Sequence, residues 1–217
     1  MHDLFKQKVM RIVVKVVISL FIFSLGHSSF AQDSDVANYK SEILKYRKGK
    51  NIKLKFGDKT PLTVDQVRNF EGLKYFPVDY KYYVKAKLVK APEQKKLVLQ
   101  TSTDRQPEYI KYGQVHFMLD TFHLVLTVYQ TPPDKQPLKE DRTLFVPFKD
   151  ETSGKESYGG GRYIEFEIPV EGDTVYLDFN KAYNPYCAYN HRYSCVIPPS
   201  ENWLPVRIEA GEKKFEE

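Results

Sequence analysis

From Val84 the chain alternates. Val84, Ala86 and Leu88 are apolar while Lys85 and Lys87 are charged, the pattern of a strand with one buried face and one wet face. The same period of two returns at Ile164, Phe166 and Ile168, which alternate with Glu165 and Glu167. Two longer runs, 109–119 and 122–130, flank Asp120-Thr121 and predict a hairpin. Its second arm sends Phe122, Leu124, Leu126 and Val128 to one face and His123, Val125, Thr127 and Tyr129 to the other. Shorter strands are expected at 95–100, 144–148, 175–179 and 204–210. Eight strands with turn-length connections predict an antiparallel β-sandwich or barrel.

Ahead of the strands the period is helical. Ser34 can cap a helix running to about Lys48, with Val36, Tyr39, Ile43, Leu44 and Tyr46 as an apolar stripe. Thr63-Val64-Asp65-Gln66 has the form of a capping box and starts a second short helix. The expectation is a mainly β domain over 32–217, entered through one or two short helices, with no repeat and no second boundary.

Residues 1–31 read as an address. Lys6, Lys8, Arg11 and Lys15 precede the ten-residue apolar run Val16–Leu25, and Ser29-Phe30-Ala31 puts small residues at the −3 and −1 positions before Gln32. A spanning helix needs about 20 apolar residues, so a cleaved signal peptide is expected, and with it export to the periplasm or beyond. Met10 would serve equally as the start, and no cysteine follows the run closely enough for lipid anchoring. Removing this segment changes the charge. It carries four basic side chains and one acidic one, so the net charge falls from +5 to +2. That excludes the strong basic excess of a nucleic-acid partner. The cluster Lys40, Lys45, Arg47, Lys48, Lys50, Lys53, Lys55 and Lys59 could touch anionic lipid, but a solvated face is the plainer reading.

Two segments break the strand pattern. Three consecutive glycines, Gly159 to Gly161, precede Arg162 and a strand. They serve either a tight turn or bulge, or a close approach in which Arg162 anchors a carboxylate or phosphate. No helix and no Gly-Lys-Ser/Thr follows, so neither a nucleotide loop nor any other cofactor is expected. The second segment, 180–203, has no period yet holds Tyr183, Tyr186, Tyr189 and Tyr193. It reads equally as an aromatic plug of the barrel or as a ligand site.

Four strings resemble one bacterial family, the domain of unknown function 1684 family. They are Gly72-Leu73-Lys74-Tyr75-Phe76-Pro77-Val78-Asp79, Tyr158-Gly159-Gly160-Gly161-Arg162-Tyr163, Leu177-Asp178-Phe179-Asn180-Lys181-Ala182-Tyr183-Asn184-Pro185 and Pro198-Pro199-Ser200-Glu201-Asn202. The resemblance covers about 36–213 and implies a single domain, with no established activity. Tyr186 stands where a second proline is common, and Val196 where a proline often follows the cysteine.

Three readings follow. In the first, the chain is a cell-envelope module that binds a small or anionic ligand. Arg162 would hold an anion, Asn180 and Asn184 would give directional hydrogen bonds, Tyr158 and Tyr183 flat contact, and Asp178 and Glu201 carboxylates. In the second it is a hydrolase-like enzyme using Glu201 or Asp178 with Arg162, with Asp79 as a further carboxylate. In the third it is a structural envelope protein without a site.

Cys187 and Cys195, with seven residues between them, read most simply as a disulfide in an oxidising compartment, with free thiols as the alternative. His191 between them completes Cys-x3-His-x3-Cys, but no fourth ligand is near and the histidine is not part of the family pattern, so no metal is expected. A Cys187–His191 nucleophile pair would be abolished by that disulfide. His116 and His123 sit on the two hairpin arms, where they should approach each other.

Arg162 carries the sharpest expectation. If Glu171-Gly172 is a two-residue turn, Ile168 faces Val175, Phe166 faces Leu177 and Ile164 faces Phe179. Arg162 then continues the apolar inward face opposite Lys181 and needs an anion, from Glu201 by preference, from Asp79, or from a ligand.

Overall fold

The computed structural model describes residues 34–136 and 142–216. The expected signal peptide and its cleavage string lie outside the described residues. The chain divides into two units, Met1–Glu42 and Ile43–Glu217, and among the described residues all the strands lie in the second. Among the described residues no helix is long and apolar enough to cross a membrane.

Helix α1 spans residues 34–56, well past Lys48. Gly49 does not stop it, because Ile43, Arg47 and Leu54 continue one buried stripe. It ends where the Gly57 amide donates to the Lys53 carbonyl at 2.9 Å. Helix α2 (Val64–Asn69) begins at the expected capping box, with Thr63 and Gln66 each bonding the other's backbone amide.

The strands are β1 (Tyr83–Lys90), β2 (Lys96–Val98), β3 (Glu108–Leu119), β4 (Phe122–Gln130), β5 (Thr143–Phe148), β6 (Arg162–Glu167) and β7 (Thr174–Asp178). They form one antiparallel, nearly closed barrel-like sheet in the order β6-β5-β4-β3-β1-β7, with β2 also on β3. The β3–β4 hairpin closes at Leu119–Phe122 as expected. Asp120 takes φ 51°, the left-handed conformation such a turn demands. His116 and His123 do meet across it, their rings 5.6 Å apart.

Two expectations are corrected. First, β6 and β7 do not pair as a hairpin. Arg162 to Glu167 pair instead with Phe148 to Thr143 on β5, and β7 pairs with β1, Leu177 opposite Val84. The linker's ends are already engaged on the far sides. The Ile168 amide donates to the Arg142 carbonyl at 2.8 Å, and the Asp173 carbonyl accepts from the Leu88 amide at 2.7 Å. Lys181 is therefore not Arg162's partner across a ladder. The free edge of β6 is taken by Tyr183, in reciprocal bonds of 2.9 and 3.0 Å with Tyr163. Second, 204–210 is not a strand. Leu204, Ile208 and Ala210 are buried as a strand's inward residues would be, but Pro205 has no amide and the carbonyls of Ile208 and Ala210 are claimed by a side chain.

Facing survives the change of register. Val84, Ala86 and Leu88, Val115 and Phe117, Leu124, Leu126 and Val128, Leu144, Val146 and Phe148, Ile164, and Val175 and Leu177 form one interior. Burying each of the larger side chains is worth about 1.5–3 kcal/mol. The outward residues Tyr129, Phe145 and Tyr163 gather with Leu99 and Val196 into a second apolar layer on the outside of the sheet.

Candidate functional site

The glycine string ends inside the barrel. Gly161 takes φ 93°, and a Cβ there would lie 2.7 Å from the Phe148 carbonyl oxygen and 2.6 Å from Pro198 Cγ. Glycine is therefore required by close approach of the chain to itself. The next residue, Arg162, is wholly buried between the rings of Phe76 and Phe148, 5.6 and 5.4 Å away.

Its anion is Asp150. Arg162 Nη2 reaches Asp150 Oδ1 at 3.0 Å, and neither side chain is exposed. Nη2 also donates to the Ile208 carbonyl at 2.9 Å and Nη1 to the carbonyls of Ala210 and Glu212. Asp150 Oδ2 in turn accepts from the amides of Thr152 and Ile208 and from the Thr152 hydroxyl. Burial pulls the guanidinium down in pKa while Asp150 pushes it back up. This network ties the stretch Ile208–Glu212 to the start of β6 and to the turn after β5. The expectation of Glu201 or Asp79 as partner is thus corrected. Asp150 lies outside the strings that resemble the family, and nothing in its local sequence marks it.

The other expected site residues separate. Asn180 staples the chain: its Nδ2 donates to the Asp79 carbonyl at 2.8 Å and its Oδ1 accepts the Asp79 amide at 3.1 Å. The carboxylate of Asp79 caps the Lys81 amide, and that of Asp178 accepts the Asn180 amide and pairs with Lys181. Asn184 donates its backbone amide to Glu212 Oε2 and its Nδ2 to the Lys213 carbonyl. Glu212, itself buried, also accepts from Tyr189 Oη and pairs with Lys50. Glu201 accepts from Tyr129 Oη at 3.2 Å beside a cleft of about 480 Å³ that includes Trp203 and Lys111. Arg162 does not meet Glu201 or Asp178, so the arrangement expected of the hydrolase reading is not assembled.

The irregular 180–203 segment does not plug the barrel. Its Tyr183 and Val196 pack on the outer layer, where Tyr163 Oη donates to the Val196 carbonyl at 2.6 Å, whereas Ala182 joins the interior and Tyr189 packs with Leu54, Leu62 and Phe70. Between segment and sheet is a cleft of about 500 Å³. Tyr109, Phe145 and Tyr163 line it from the sheet, and Tyr183, Tyr186 and Tyr193 from the segment. Tyr109 stacks on Phe145 at 5.5 Å, and Tyr186 meets Tyr193 edge to face at 5.3 Å. Glu165 and Arg105 supply its charge. Tyr183 Oη donates to Glu165 Oε1 at 2.6 Å, and Arg105 Nη2 to the Ser194 carbonyl at 3.0 Å. Of the expected ligand residues only Tyr183 lines this cleft, and Glu201 the neighbouring one. Tyr158 is half-buried, with its hydroxyl 3.7 Å from Cys187 Sγ. Both cysteines are buried thiols in this structure. His191 is exposed, and among the described residues no group of three His, Cys, Asp or Glu could hold a metal.

A model of the family described as "Protein of unknown function (DUF1684)" matches residues 68–213. The chain belongs to this family. The matched span starts later than the resemblance traced from residue 36, but it contains all four strings. An uncharacterized protein of Haloarcula marismortui, known from a solution NMR structure, is 35% identical. The match covers 83% of this chain and 97% of that one, with a TM-score of 0.65. No curated protein matches. Within the DUF1684 fold three of the strings play one physical role here: Arg162, Asn180, Asn184 and Asn202 are buried polar staples. Asn202 accepts the Thr127 amide at 2.7 Å and donates to the carbonyls of Thr127 and Pro147. Arg105, Tyr109, Phe145 and Glu165 were missed as site residues, because they come from separate strands and loops and converge only on folding.

Proposed function

We propose that this DUF1684 member is an exported binding module for a small molecule, held in the cleft between the outer sheet face and residues 183–196. The observation that carries the reading is that cleft's composition: a floor of Tyr109, Phe145 and Tyr163, walls of tyrosine, and one charge of each sign in Arg105 and Glu165. Its volume of about 500 Å³ falls in the range of small-molecule sites, about 300–1,000 Å³. The rings would take a flat apolar body, Arg105 an anionic group, and Glu165 a hydrogen-bond donor. Export is supported by the charged start, short apolar run and cleavage-like string of residues 1–31.

A thermal-shift panel of anionic and ring-bearing metabolites tests the reading. Wild type should be stabilised by at least one compound, Arg105→Ala less so, and Thr143→Trp, which fills the cleft from β5, not at all. Equal shifts in wild type and Thr143→Trp would put binding outside the cleft, and no shift in wild type would leave the structural reading.

A further inference from the structure

Cys187 and Cys195 flank a small loop whose C-terminal end, Tyr193 to Cys195, forms part of the cleft wall. The Cys187 amide donates to Cys195 Sγ at 3.0 Å, which brings the two sulfur-bearing residues together. Tyr158 Oη donates to Cys187 Sγ at 3.7 Å. Cys195 lines the cleft, as do its neighbours Tyr193, Ser194 and Val196, whereas Cys187 does not. Its own backbone is held, with the Cys195 amide donating to Ser102 Oγ and the Cys195 carbonyl accepting the Ser102 amide.

We propose that this pair is a thiol–disulfide exchange site for low-molecular-weight disulfides, entered from the cleft at Cys195 and resolved by Cys187. The chemistry balances without any further reactant. The Cys195 thiolate attacks one sulfur of the small disulfide, whose S–S bond breaks and releases one thiolate. Cys187 then gives up its proton and attacks the mixed disulfide at Cys195, releasing the second thiolate. Two protein thiols are oxidised to one disulfide, and one small disulfide is reduced to two thiols that carry off the two protons. The pair is prepared for this near neutral pH. The Cys195 thiol and Tyr158 hydroxyl stabilise negative charge on Cys187, whose pKa falls to about 7, while sharing that proton pushes Cys195 up. The first proton therefore leaves the pair as a unit, and the minor share of that charge carried by Cys195 is the share that faces the cleft. The site stands independently of any cleft ligand.

The test is intact mass and maleimide counting on reduced protein equilibrated with oxidised and reduced glutathione. Wild type should lose two hydrogens in mass, protect both cysteines together and keep no glutathione. Cys187→Ser should hold a persistent glutathione adduct at Cys195, since the resolving thiol is gone, whereas Cys195→Ser should take up at least tenfold less. Unchanged wild-type mass under oxidising conditions would overturn the proposal, as would a stable wild-type adduct. If Cys187→Ser fails to fold, the wild-type masses decide alone. Adduct formation equal in the two variants would refute entry at Cys195.

Discussion

Arg162 and Asp150 form an enclosed ion pair, Nη2 to Oδ1 at 3.0 Å with neither side chain exposed. The pair joins the strand after the glycines to the turn after β5 and, through the guanidinium, to the carbonyls of Ile208, Ala210 and Glu212. Arg162→Ala leaves a buried carboxylate and three carbonyls without that donor. It should cost about 3–5 kcal/mol of stability. Arg162→Lys should fall between the two, because one ammonium cannot reproduce the planar fork. Urea titrations of the three proteins measure this, and a wild-type midpoint for Arg162→Ala would contradict it.

Gly161→Ala tests the turn alone. The new Cβ meets the Phe148 carbonyl oxygen at 2.7 Å in a backbone conformation of φ 93°. Strain of this kind costs of order 1–3 kcal/mol, so a clear drop in melting temperature is expected. The exposed Gly172, at φ 72° but with nothing within 4 Å of a Cβ, supplies the comparison. Gly172→Ala should cost less than Gly161→Ala.

Asn202 should outweigh its neighbour Glu201. Removing its amide in Asn202→Ala strands the Thr127 amide and two carbonyls, at about 1–3 kcal/mol for each group left unpaired. Glu201→Ala removes one bond to Tyr129 Oη from an exposed side chain and should change the unfolding midpoint little. Denaturant melts of both variants should give that order.

Alkaline pH should unfold the protein steeply. Burial holds the hydroxyls of Tyr75, Tyr129, Tyr163, Tyr183 and Tyr189 above the ordinary tyrosine pKa, with Glu212 adding to Tyr75 and Tyr189 and Glu201 to Tyr129. Each ionises more readily in the unfolded chain, at about pH 10, than in the fold. The stability they contribute is therefore complete below about pH 10 and is lost as the pH rises beyond it. Tyrosinate absorbance should rise in two steps, exposed rings first and the buried ones together with loss of β circular dichroism. A single smooth step with the fold intact would contradict the burial.

Strand alternation made most of the barrel legible. Leu124, Leu126 and Val128 against Thr127 and Tyr129 gave correct faces, because a period of two is fixed by the pleat whatever the partner strand is. Partner choice was not legible. The β6–β7 register followed from a local turn, yet the bonds that decide pairing run from Ile168 to Arg142 and from Leu88 to Asp173. Arg162 was legible as an inward charge, since its position followed from the same alternation. Its partner was not, because Asp150 sits in an unremarkable turn and reaches Arg162 only through folding. The cleft shows the same division. Tyr183, Tyr186 and Tyr193 stood out by crowding, but Tyr109, Phe145 and Glu165 are ordinary outward strand residues until the 180–203 segment covers them.

The binding reading is tested most directly by native mass spectrometry of the protein purified under mild conditions from its own host, alongside Thr143→Trp prepared identically. The account predicts a retained non-covalent mass in wild type that Thr143→Trp has lost. A clean unliganded mass in wild type, joined by no thermal shift across the metabolite panel, would contradict it.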